Sequence, residues 1–61
     1  MSTDLFIMFN ELSEKKTKDL VECNNELENT NYNSVIRKAL LVYKAELQEC
    51  LETYDYYLNS N

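Results

Sequence analysis

The second half of the chain, Ser34 to Leu58, reads SVIRKALLVYKAELQECLETYDYYL. Within it Ile36, Leu40, Tyr43, Leu47, Cys50, Tyr54 and Tyr57 are spaced 4, 3, 4, 3, 4, 3. A mean spacing of 3.5 residues, held for about three heptads, is an apolar seam along one side of an α-helix. Between the seam positions lie Arg37, Lys38, Lys44, Glu46, Glu49, Glu52 and Asp55, the residues of a solvated face. The spacing predicts a helix over about 34–58. Over Val35 to Tyr43 the apolar face widens, adding Val35, Ala39, Leu41 and Val42. A helix apolar over more than one face is expected to be covered by more than one neighbour.

Upstream of this helix, Glu28-Asn29-Thr30-Asn31-Tyr32-Asn33-Ser34 is the one break in a chain that has no Gly and no Pro. Asn, Thr and Ser side chains bond their own backbone and favour turns and caps. Asn also tolerates the left-handed conformation at a helix C-terminus, and Asn31, Asn33 or Ser34 is placed to cap the second helix. Before the break, Leu5, Phe9, Leu12, Leu20, Cys23 and Leu27 form a stripe that Lys16 interrupts. It predicts a first helix over about 4–28, capped by Thr3 or Ser2, and a turn over about 29–33. The run Leu5 to Phe9 has no period of its own, so a short strand at 5–9 is the alternative there.

Two helices joined by so short a turn pack antiparallel. Residue i then faces a residue near 62 − i, which sets Leu27 near Ile36, Cys23 near Leu40, Leu20 near Tyr43 and Phe9 near Tyr54. Glu26 falls opposite Arg37, Asp19 opposite Lys44 and Lys16 opposite Glu46. The same register separates Cys23 from Cys50 by roughly 15 Å at the helical rise, too far for a disulfide. Two free, buried thiols are expected.

The fold expected is therefore all-α: one antiparallel two-helix hairpin of 61 residues. A chain this short buries only about 60% of its unfolded surface. Two cysteines allow at most one disulfide, and the absence of His removes the commonest zinc ligand. Association is the remaining source of stability. A second copy, giving a four-helix bundle of two hairpins, is the economical form of it. Val35, Ile36, Ala39, Leu40, Val42, Tyr43, Leu47 and Tyr54 are the candidate residues of that core or dimer seam.

Composition excludes several kinds of chemistry. Without Gly there is no phosphate-cradling loop, and without His no Ser-His-Asp or Cys-His catalysis. Cys23 and Cys50 fall on apolar stripes, a setting that does not activate a thiol. Pairs such as Glu22 with Glu26 read as solvated helix faces. No enzyme activity, cofactor or metal is expected. Eleven acidic residues against six basic ones give a charge of −5, which argues against phosphate backbones and anionic membranes as partners. The longest apolar run, Leu5 to Phe9, is far short of the ~20 residues that span a bilayer. Asp4 stands where a signal peptide would carry positive charge. A cytoplasmic or nuclear, non-secreted protein with reduced thiols is expected. Heavy use of Asn, Lys, Glu and Tyr suggests an AT-rich source such as a phage.

The candidate partner-binding residues are Glu46, Glu49, Glu52, Asp55 and Tyr56, an acidic face with an aromatic anchor. Such a face suits a basic site on another protein, in the manner of a regulator, inhibitor or assembly subunit. A second reading comes from Tyr32-Asn33-Ser34-Val35-Ile36-Arg37-Lys38-Ala39-Leu40. This segment resembles the start of the second helix in ribbon-helix-helix DNA-binding proteins. The resemblance implies a dimeric transcriptional regulator, with Leu5 to Phe9 as its ribbon strand and residues of about 13–28 as its first helix.

Overall fold

The computed structural model describes residues 3–29 and 31–60. Two helices, α1 (Thr3–Leu27) and α2 (Ser34–Asn59), fold back on each other as a rod of 45 × 14 × 12 Å. No strand occurs among the described residues. Leu5 to Phe9 lies inside α1, so both the strand alternative and the ribbon implied by the ribbon-helix-helix resemblance are corrected. The five apolar residues continue a 25-residue helix because its stripe runs on through Leu12, Leu20 and Cys23. Thr3 is the first helical residue; Ser2, the other candidate cap, and Thr30 in the turn lie outside the described residues.

No positive φ occurs among the described residues. Side-chain bonds shape the turn at Asn29 and Asn33. The last turn tightens, with Glu28 N–H donating to the Asn25 carbonyl and Asn29 N–H to that of Glu26, at 3.2 and 3.0 Å. Asn29 Oδ1 then accepts from the Asn31 N–H at 2.9 Å, the local Asx bond that redirects the chain. Asn33 starts α2 from an extended conformation (φ −72°, ψ 170°), its Oδ1 accepting from the Ile36 N–H at 2.9 Å. That bond satisfies one of the orphan donors of the first turn.

The register brings together two of the expected pairs. Cys23 Sγ donates to the Leu40 carbonyl at 3.3 Å, and the Phe9 and Tyr54 ring centroids are 5.9 Å apart, pairs whose numbers each sum to 63. Cys23 and Leu47 are the buried residues of the hairpin, 3% and 2% exposed. Half-buried around them are Phe9, Leu12, Lys16, Leu20 and Leu27 of α1, and Arg37, Leu40, Lys44, Leu51, Tyr54 and Leu58 of α2.

The inward face of α2 therefore runs 37, 40, 44, 47, 51, 54, 58. It shares Leu40, Leu47 and Tyr54 with the expected seam and leaves Cys50 half-buried beside it, but Ile36 and Tyr43 lie on an exposed flank, and Tyr57, though largely exposed, keeps a contact with α1. Arg37 and Lys44 take inward positions, and Lys16 does the same on α1. Long basic side chains fit at such positions because their methylene stems can cover apolar neighbours, and the guanidinium of Arg37 finds backbone carbonyls at the end of α1. At the open end of the rod, Phe9 stacks on Tyr57 with centroids 5.2 Å apart, and Tyr57 and Tyr56 meet nearly perpendicular with centroids 5.5 Å apart.

Candidate interaction surface

The five residues of the acidic set are all exposed on α2. Glu46 and Glu49 border a shallow depression shared with Cys50, Thr53 and Tyr54. Asp55 is partly engaged, since Asn59 Nδ2 donates to both its carboxylate and its backbone carbonyl at 2.9 Å. Tyr56 is 69% exposed, a broad apolar ring nearly perpendicular to that of Tyr57.

The candidate seam residues divide in two. Leu47 is buried and Leu40 and Tyr54 are half-buried between the helices, whereas Val35, Ile36, Ala39, Val42 and Tyr43 are exposed. The exposed five sit in the widened stretch near the start of α2, within about two helical turns of each other. In all, twelve large apolar side chains among the described residues are exposed, against two apolar residues buried.

Several charges take partners other than those expected. Arg37 does not pair with Glu26; its Nη1 donates to the Leu27 carbonyl at 2.9 Å and to that of Asn29 at 3.4 Å. It closes the C-terminal end of α1, where unpaired carbonyls carry the negative end of the helix dipole. Glu26 instead accepts from the Tyr32 hydroxyl. This hydrogen bond to the carboxylate, with the carboxylate's charge, raises the Tyr32 phenol above its ordinary pKa. Asp19 pairs with Lys15, one helical turn away, rather than with Lys44. The same hydrogen bond and charge raise the Lys15 ammonium. The capping role of Arg37 escaped sequence reasoning, although a helix ending without Gly leaves carbonyls that a basic residue across the turn can reach.

Charge is segregated along the rod. All six Lys and Arg residues lie between Lys15 and Lys44, while 3–14 and 49–60 hold six carboxylates and no basic residue. Both of these stretches lie at the open end, so the acids of α2 face acids of α1 there. Among the described residues, no group of three or more Cys, Asp or Glu is placed to hold a metal ion. No helix among them is long and apolar enough to cross a membrane. The chain matches no protein-family model, no curated protein and no solved structure.

Proposed function

We propose that this chain is a small, acidic, non-enzymatic interaction module that acts by docking on other protein, as a regulator, inhibitor or assembly subunit. In this reading the hairpin associates with a second copy into four helices. The face of Glu46, Glu49, Glu52, Asp55 and Tyr56 meets a basic site. The observation that carries the reading is the imbalance between two buried apolar residues and twelve exposed large ones. The chain exposes 4747 Å², against about 4200 Å² for a compact monomer of this mass. The surplus is about two thirds of the ~800 Å² that one partner buries in a standard interface, the size of a small one.

Thermal unfolding followed by circular dichroism at two concentrations about a hundredfold apart tests this. Association couples stability to concentration, so the midpoint rises in the concentrated sample. An unchanged midpoint in a fully helical protein contradicts the reading.

A further inference from the structure

The charges of α2 run against its own dipole. Its basic residues, Arg37, Lys38 and Lys44, all precede its acidic ones, Glu46, Glu49, Glu52 and Asp55. No acidic side chain occupies the first turn and no basic one the last, the opposite of what stabilises a lone helix. Nor does α1 correct this at the open end, where its own Asp4, Glu11 and Glu14 lie.

The outer face of α2 has a matching pattern. Its three most exposed large apolar residues are Val35 (73%), Tyr56 (69%) and Val42 (59%). Val35 and Val42 are seven residues apart, and Tyr56 is two heptads further on. Residues at heptad spacing drift only ~20° per repeat, so the three share a line on the side away from α1. Glu49 continues that line, and Lys38, Ala45 and Glu52, three residues on, run beside it; all four are exposed. Reversed end to end about Ala45, Lys38 falls on Glu52 and Lys44 on Glu46, Val35 comes within one residue of Tyr56, and Val42 falls on Gln48. Laid parallel, each charge falls on its own kind.

We propose that this face binds a second copy of the chain, with the two α2 helices antiparallel and crossing at Ala45. Lys38 of each copy then pairs with Glu52 of the other, Val35 lies beside Tyr56, and the small Ala45 side chain lets the backbones approach. This deepens the interaction-module reading and rests on it: the basic site met by the acidic half of α2 is the basic half of α2 in the second copy. Both orphaned ends of the charge pattern are compensated at once. A single helix pair buries little area, so the dimer is expected to be reversible.

Sedimentation velocity on Lys38→Glu, Glu52→Lys and an equimolar mixture of the two tests the orientation. Each variant alone sets like charges against each other twice, and its dimer is expected to weaken by about tenfold or more. In the mixture, the glutamate introduced into one copy meets the lysine introduced into the other. The native Lys38 and Glu52 that remain pair at the second contact, so dimer returns to the level of the unaltered chain. Circular dichroism on each sample checks that the hairpin is intact. If either variant fails to fold, Lys38→Asp and Glu52→Arg repeat the exchange. A dimer of the unaltered chain without rescue in the mixture overturns this antiparallel contact and leaves the module reading standing. A chain that stays monomeric and fully helical at every concentration overturns both.

Discussion

Cys23 donates its thiol to the backbone carbonyl of Leu40, 3.3 Å away across the hairpin and seventeen residues on in the sequence. A carbonyl inside α2 already accepts from its own helix, so the thiol takes its second lone pair. The bond fixes axial register at one of the two buried positions of the rod. Replacing Cys23 by Ala removes the bond and part of the packing, and is expected to cost about 1–2 kcal/mol. Urea unfolding followed by the helical circular dichroism signal measures this.

The two thiols differ in burial. Cys23 is buried and Cys50 half-buried, and neither is in a disulfide. Cys50 is expected to react with a thiol reagent in the native protein. Cys23 is expected to react only as the hairpin opens, at a rate that follows the unfolding equilibrium. Equal native rates for the two would contradict the burial of Cys23.

Leu47 is the largest fully buried side chain. Leu47→Ala is expected to cost about 2–4 kcal/mol, a large share of what a hairpin of this size can hold. Loss of helix at room temperature is the expected result. By contrast, Ile36→Ala is expected to leave the hairpin folded, since Ile36 lies on the exposed flank.

That contrast also shows how far the residues announce the fold. The two helices, the turn and the pairing of Cys23 with Leu40 and of Phe9 with Tyr54 are legible, because the stripes recur at helical spacing and the Asn-rich segment interrupts them. Which flank of α2 faces α1 is not. From Val35 to Tyr43 apolar residues spread over more than one face of the helix, so Ile36 and Arg37 are equally placed to turn inward. Arg37 does so because its guanidinium reaches the Leu27 and Asn29 carbonyls, a preference no hydrophobic period encodes. The exposed acidic face was legible as charge alone. The heptad spacing of Val35 and Val42, and of Tyr56 beyond them, gained meaning once their exposure separated them from the core.

Asn33 caps α2 through its side chain. Asn33→Ala is expected to destabilise the hairpin by about 1 kcal/mol, while Asn33→Ser or Asn33→Asp retains most of the stability. Denaturant midpoints of the three variants give the comparison.

The Tyr32–Glu26 hydrogen bond supplies a pH-dependent contribution. It favours the neutral phenol, so the folded pKa lies above the unfolded value of about 10. The contribution is complete below the unfolded value and is lost as pH rises through the folded one. The tyrosinate absorbance at high pH is expected to include a component above the ordinary phenol range, and Tyr32→Phe is expected to remove it.

The central claim, that this hairpin is completed by association, is met most directly by sedimentation equilibrium from low to high micromolar concentration, with circular dichroism on the same samples. A reversible monomer–dimer equilibrium whose helix content rises with the dimer fraction is the result predicted here. A monomer of constant, full helicity across the range would contradict it, because twelve exposed apolar side chains would then need no cover.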